Sequence, residues 1–255
     1  VQDGSIGFFG AIDSTEGGQT ARTNVYAELL TTTPKNHIWK NLFYYTNYHF
    51  DLFSNFTFFL EDPIRGDQIR QKEQRHFWGY QGSYSISHQI ADKPASFIAG
   101  LQYRHDLTSD SELSKTANRI LLLERLKFGN IQEANASLFL EETVSLSQQW
   151  TLTAGLRYEY FANQYTDFLL DAEKQAVPSH LLLPKLHVYY TPRQNIQLYF
   201  TNGRGFHSND TRAVISQNGL ETLPSAYGSD VGIVIKPTSK LLINSSLWYL
   251  WLNQE

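Results

Sequence analysis

From Thr151 to Tyr160 the chain alternates with period two: Leu152, Ala154, Leu156, Tyr158 and Tyr160 fall on one face, and Thr151, Thr153, Gly155, Arg157 and Glu159 on the other. A strand rises about 3.3 Å per residue and turns successive side chains to opposite sides, so this segment has one greasy face and one that tolerates water. The same alternation sets Val25, Ala27 and Leu29 against Asn24, Tyr26 and Glu28, and Phe97, Ala99, Leu101 and Tyr103 against Gly100, Gln102 and Arg104. It also sets Ile196, Leu198 and Phe200 against Gln197 and Thr201. Strands are predicted over residues 5–12, 22–33, 37–60, 74–88, 95–108, 131–147, 150–163, 180–192, 195–206, 226–236 and 240–252. Glu142 breaks the pattern, because it shares a face with Leu138, Leu140, Val144 and Leu146.

A soluble sheet packed on a core alternates in the same way, so the spacing of the turns must decide. Five connections are short: Pro34-Lys35-Asn36, Gln89 to Pro94, Gln148-Gln149, Pro192-Arg193-Gln194 and Pro237-Thr238-Ser239. Proline fixes φ and cannot continue a ladder, which suits hairpin ends. Five others, near 13–21, 61–73, 109–130, 164–179 and 207–225, are long and polar. Short turns at one rim and long loops at the other is how a transmembrane barrel is built. The stretch 37–60 exceeds a single crossing, so its upper part is expected to rise beyond the membrane.

Composition narrows the classes. The 255 residues carry a net charge of −4 with no cluster of five Lys or Arg, which argues against nucleic acid as a partner. Absence of Cys removes disulfides, thiolate metal sites and cysteine nucleophiles together. Aromatics at 14%, with 15 Tyr and 16 Phe, favour a membrane interface or a ligand-facing wall. No apolar run, Ile120 to Leu123 included, approaches the length of a spanning helix. Val1-Gln2-Asp3-Gly4 has no leader character and Leu250-Trp251-Leu252 is still strand-like, so an internal excerpt of a longer barrel is expected.

Chemistry is sparse. The eight histidines show no H-E-x-x-H or close pairing; His105 and His207 are candidates for a haem or metal ligand, against the ordinary reading of surface and lumen histidines. Glu141-Glu142 and Glu61-Asp62 are adjacent, so in strands they point to opposite faces and cannot share a substrate. There is no G-x-S-x-G elbow, and Gly203-Arg204-Gly205 is only a fragment of a dinucleotide motif. Catalysis therefore has no support, and no cofactor or resident metal is called for. Asn41, Asn47, His49, Asp51, Gln81, Ser83, Ser85, Arg104, Arg157, Glu159, Lys185 and His187 are expected to face inward as a mixed-sign wall. Trp39, Phe43, Tyr45, Trp78, Tyr80, Trp248 and Tyr249 are expected either in interfacial girdles or in a sandwich core. Arg204, His207, Asn209, Asp210 and Arg212 head a long loop, as either a polar ring at a mouth or a solvated turn.

The string GLRYEY, Gly155 to Tyr160, resembles a recurrent signature of TonB-dependent outer-membrane receptors. LPKLHVYYTP (Leu183 to Pro192), LYFTNGRGFHSND (Leu198 to Asp210) and LPSAYGSDVGIVIKP (Leu223 to Pro237) resemble the family's following strands, in the same order. The resemblance implies an all-β, antiparallel up-and-down transmembrane β-barrel of 22 strands, of which about 11 lie here, closed by a plug. It also implies import of a scarce nutrient such as a ferric siderophore, cobalamin or haem across the outer membrane of a Gram-negative bacterium. Its partners would be outer-membrane lipid, the TonB complex through the plug, and a small-molecule or metal-chelate cargo. Arg157, Glu159, Arg204, His207, Asn209, Asp210 and Arg212 would then contact cargo or plug. The chain carries no plug, no TonB box and no terminal aromatic strand, so residues 1–255 read as a partial barrel domain. His207-Ser208-Asn209 stands where the family often has Arg-Ala-Pro or Arg-Pro-Pro, which leaves the cargo class open. A passive porin and a soluble β-sandwich are the other readings of the same strands.

Overall fold

The computed structural model describes residues 7, 8, 10, 13–175, 178–216 and 221–254. Ten long strands run antiparallel, each hydrogen-bonded to the next in chain order. They are β1 (Gly17–Thr32), β2 (Ile38–Ser54), β3 (Ile69–Ile90), β4 (Lys93–Ala117), β5 (Leu121–Ser145), β6 (Trp150–Asp167), β8 (Ser179–Arg193), β9 (Ile196–Phe206), β10 (Ser225–Thr238) and β11 (Leu241–Leu252). A short β7 (Ala172–Gln175) adds to the top of β6, and one helix, α1 (Thr211–Ser216), lies in the β9–β10 loop. The sheet stays open, with β1 and β11 as its edges. Most of the predicted strand over 5–12 lies outside the described residues; its described members Gly7, Phe8 and Gly10 form a turn, closed by the Gly10 N–H on the Gly7 carbonyl at 2.9 Å.

The registers sort the side chains onto two faces, because directly paired residues share a face. One, called outer here, runs through Phe43, Tyr80, Tyr103, Ala136 and Tyr160, and through Trp39, Tyr84, Ala99, Leu140, Leu156 and Pro184. Its apolar side chains are bare: Leu138 is 60% exposed and Phe43 57%. The opposite, inner face buries polar groups, among them Asp106 and Glu159, the latter 1% exposed. A soluble sandwich would do the reverse, since burying apolar surface is what holds a water-exposed sheet together. The soluble reading therefore fails on where the grease lies. On β6 the outer apolar row runs from Trp150, stacked on Tyr190 at 4.4 Å, to Tyr160. Ten steps of about 3.3 Å, tilted by roughly 40°, span roughly 25 Å, the height of a barrel's apolar band.

Short turns do collect at one rim. Ala91 and Asp92 both have positive φ (48° and 61°), the twist-matched geometry of a two-residue hairpin. Pro94, Pro192 and Pro237 lie in strand ends rather than at the turn apices, and register shifts fall beside the latter two, where a missing N–H interrupts the ladder. At the loop rim the expected loop over 109–130 is instead ladder: β4 and β5 run on as a hairpin whose turn, Asn118-Arg119, again has two positive φ values. Gln68 ties this hairpin to its neighbours. Its Nε2 donates to Thr15 Oγ1 at 2.6 Å, and its Oε1 accepts from the Arg119 N–H at 2.9 Å and Thr116 Oγ1 at 3.0 Å.

The β2 assignments need correction. Asn41, Asn47, His49 and Asp51 pair with Gly82, His76, Gln74 and Lys72, which places them on the outer face with Trp39, Phe43 and Tyr45. Leu42, Tyr44, Tyr48 and Phe50 turn inward instead. Asn41 is satisfied there by the Tyr80 hydroxyl, which donates to its Oδ1 at 2.6 Å.

Glu142 does lie on the outer face, and the β5–β6 ladder passes it without a bulge. It stands three residues from the end of β5, at the turn rim, where His88 Nε2 lies 2.9 Å from its Oε1. A rim position with a hydrogen-bonding partner removes the cost of a carboxylate in an apolar row. Glu142→Gln should accordingly shift stability by no more than about 1 kcal/mol, measured as the urea midpoint in lipid vesicles; a carboxylate at the midplane would respond far more strongly.

Candidate functional site: the inner wall and its mouth

On the inner face the charged residues are bonded to one another. The Arg157 guanidinium donates through Nε to Glu159, and through Nη2 to Gln102 Oε1 at 2.8 Å and Ser137 Oγ at 2.7 Å. Asn135 Nδ2 completes the carboxylate at 2.8 Å. Three strands, β4, β5 and β6, thus meet in one network around the Arg157–Glu159 pair. Nearer the loop rim, Arg104 donates to both oxygens of Asp106 at 2.6 and 2.9 Å, and Arg75 Nε joins it at 2.9 Å. Arg104 also lies over the Phe77 ring at 4.4 Å, and Arg75 reaches Glu133 at 3.6 Å. Lys185 pairs with Glu141 across β6.

The β9–β10 loop turns inward over this wall. Asp210 caps α1, its Oδ1 accepting the backbone N–H groups of Arg212 and Ala213 at 2.8 and 3.4 Å, as an N-cap carboxylate does. Thr211 is buried at the contact: its hydroxyl donates to Glu133 Oε1 at 2.5 Å and accepts from Asn163 Nδ2 at 2.9 Å. Arg212 donates to Asp210 and, through Nη1, to Ser111 Oγ on β4 at 3.2 Å. Glu133, Asn163 and Ser111 all belong to the inner face, so the loop is fastened across the mouth. Between it and the wall lies a cavity of about 310 Å³, lined by Tyr48, Phe50, Glu73, Ser111, Glu112 and Arg212.

Seven residues were expected to share a site, and the structure divides them. Arg157 and Glu159 lie on the wall, and Asp210 and Arg212 lie in the mouth loop. Asn209 holds the base of that loop, its Nδ2 donating to the Glu221 carbonyl at 2.7 Å, and His207 is exposed beside it. Arg204 is elsewhere. Paired with Tyr227, it faces outward with Phe200 and Asn202. There its Nη2 donates to Ser225 Oγ at 2.6 Å and its Nη1 to the Leu182 carbonyl at 3.3 Å. The reason is local: the β8–β9 ladder ends at the Lys185–Gly203 pair, because the next residue, Pro184, has no N–H. Arg204 bridges the gap that results. Thr211, Glu133, Asn163 and Tyr48 escaped sequence reasoning, since a six-residue helix shows no periodicity and β2 is aromatic on both faces.

The Arg212 guanidinium beside Asp210 holds its carboxyl below the ordinary 3.8; burial opposes this, and the two N–H bonds reinforce it. A depressed acid stabilises the loop above its unfolded value and loses that contribution as pH falls through the folded one. Docking of α1 should therefore be unchanged from neutrality down to about pH 4 and be lost only below it, read from a spin label at Ser208. Thr211→Val removes both buried bonds and should weaken docking by about 1 to 3 kcal/mol, seen with the same label at neutral pH.

A family model described as TonB dependent receptor-like, beta-barrel, matches residues 2–252. A comparison with curated protein sequences gave no match. Among solved structures, the unliganded ferric citrate transporter FecA superposes with a TM-score of 0.77 at 15% identity, covering 92% of this chain and 34% of that one. The ferric preacinetobactin receptor BauA from Acinetobacter baumannii gives 0.71 at 10% identity, with 91% and 37% covered. The alcaligin outer-membrane receptor FauA from Bordetella pertussis gives 0.69 at 11%, with 91% and 38% covered. At such identities the likeness establishes the fold, and the chain spans about a third of each of these structures. The open antiparallel wall, its bare outer face and a family match over nearly the whole length lead to one assignment: the chain belongs to the TonB-dependent receptor β-barrel family.

Proposed function

We propose that this chain is part of the barrel wall of a Gram-negative outer-membrane receptor that takes up a ferric chelate, energised by TonB through a plug domain carried outside these residues. The observation that carries the reading is the mouth loop, strapped by Thr211 and Arg212 to an inner wall of bonded ions. A passive pore needs a clear lumen, whereas a gated receptor needs a cargo-responsive closure over a polar passage. The cavity beneath the strap sets aromatic faces, Tyr48 and Phe50, beside Lys72 and Arg212 and the carboxylates of Glu73 and Glu112, a mixed-sign lining that offers stacking and hydrogen bonds to a chelate. The printed functions of FecA, FauA and BauA support a ferric chelate as the cargo class. Arg157 and Glu159, Asp210 and Arg212 are the proposed contacts to plug or cargo, and the bare outer face is the proposed contact to lipid.

The test is uptake of radiolabelled ferric chelates by cells expressing the full-length receptor, with and without an uncoupler. Uptake that stops when the proton gradient collapses, and that Arg212→Ala reduces, supports the reading. Flux indifferent to the gradient would establish a passive pore instead.

A further inference from the structure

Most glycines in these strands are required by the wall itself. At Gly79, Gly100, Gly129 and Gly232 an added methyl would run into Tyr44, Phe139, Tyr165 or Tyr199, whose rings fill the space a side chain would need. Gly203, Gly205 and Gly228 are different. A Cβ at Gly205 would meet nothing within 4 Å, one at Gly228 only Leu250 Cδ1 at 4.0 Å, and one at Gly203 would make ordinary contact with Lys185 Cβ at 3.6 Å. None of the three has a positive φ. Nothing among the described residues therefore calls for glycine there, although glycine weakens a strand. A bare strand interior of this kind marks a place where something else comes close to the backbone. The three lie together on the inner face, Gly203 paired with Gly228 and Gly205 with Ala226. Their patch floors a hollow of about 470 Å³, within the range of small-molecule sites. Trp248 and Leu250 of β11 wall one side, 74% and 50% exposed although they face inward, and Lys185 walls the other. Lys185 also borders a second hollow, of about 390 Å³, that reaches Arg157 and Gln102. The bare patch thus continues the wall site around Arg157 towards the turn rim.

We propose that the glycine patch of β9 and β10 is the lane by which cargo passes along the wall, a transit site that takes the flat face of a ferric chelate against bare peptide planes and the Trp248 indole. Elsewhere the inner wall is crowded by long bonded side chains, such as Arg157 with Glu159 and Arg104 with Asp106. A fixed neighbour is held best by interlocking side chains, as the strap is held through Thr211 and Arg212. A passing one must bind weakly enough to leave, and a floor without side chains gives it room and little to grip. The hollow is also of the right size, and it begins where the wall site around Arg157 ends. The lane rests on the import reading given above, and its test keeps the two apart.

Cells expressing the full-length receptor are given radiolabelled iron as ferric citrate, a ferric catecholate or a ferric hydroxamate, and the chelate that wild type takes up is used throughout. Binding is measured on cells de-energised with an uncoupler, and uptake on respiring cells. Gly205→Ala, Gly205→Leu and Gly205→Trp, with Gly228→Leu beside them, should bind the chelate within about twofold of wild type. Uptake should fall with side-chain size, roughly tenfold at tryptophan. Gln81→Trp, on the inner face of β3, should leave both unchanged. Heat-modifiable mobility reports that each barrel is folded. Full uptake by Gly205→Trp, or an equal loss in Gln81→Trp, overturns the proposal. So does sensitivity of the glycine variants to vancomycin, which would show that the patch seats a fixed part of the receptor and that the added side chains displace it. A wild type that takes up none of the three chelates, or takes one up regardless of the uncoupler, defeats the import reading itself and the lane with it.

Discussion

Glu159→Ala will destabilise the barrel by about 2 to 4 kcal/mol, the largest loss expected from any single side chain on the inner wall. The carboxylate is shielded from solvent and binds Arg157 and Asn135 together. Removing it leaves the guanidinium with Gln102 and Ser137 as neutral acceptors and no counter-charge. Arg157 keeps 32% of its side chain exposed, which holds the cost below that of a wholly buried pair. Glu159→Gln separates charge from shape: it preserves the contact to Asn135 and loses the ion pair, so it should fall between wild type and alanine. Urea unfolding in detergent or vesicles, followed by tryptophan fluorescence, measures the series. Equal stability of all three proteins would mean that Glu159 faces water rather than its neighbours.

Leu156→Arg tests the other face and should cost roughly 2 to 4 kcal/mol if the residue lies at the lipid midplane. Leu156 pairs with Leu140 on β5 and Pro184 on β8, with Leu186 and Tyr158 to either side, so an arginine there finds no acceptor within the wall. Gln81→Arg is the matched control. Gln81 faces Gln102 on the inner side, and the change should stay within about 0.5 kcal/mol. The contrast between the two substitutions matters more than either value, since each adds the same charge to a strand interior. If Leu156→Arg inserts and resists urea as well as Gln81→Arg does, the assignment of faces is wrong.

The difference between strands that the sequence revealed and those it obscured is a difference of solvent. Between Thr151 and Tyr160 one face meets apolar surroundings and the other bonded ions, so residue types alternate and the faces can be read directly. Above the band, β4 is covered by polar loops that bury Ser111, Ser114 and Thr116, so apolar and polar types no longer alternate, and Ser109 to Asn130 reads as loop although it is ladder. On β2, aromatic rings occupy both faces, Phe43 and Tyr45 outside and Tyr44 and Tyr48 inside, so periodicity cannot choose between them and only the register with β3 does. Arg204 is a different case. Leu198 and Phe200 already fix the phase of β9, and two further steps of two put Arg204 outside with them; its place at the head of a polar loop pointed the other way. The mouth strap lay beyond reach for a simpler reason, because Thr211 meets Glu133 and Asn163 across 78 and 48 residues of chain.

The early end of the β8–β9 ladder carries a mechanical consequence. Below the Lys185–Gly203 pair the two strands are joined, while beyond it each is held by its other neighbour, β8 by β6 as far as Ser179 and β9 by β10 as far as Phe206. The wall therefore consists of two staves that meet in a notch, pinned across its width by one guanidinium. Thermal flexing will concentrate there, and the amides of Leu182 and Arg204, which face the notch, will exchange with deuterium sooner than those at equal depth in β4 or β5.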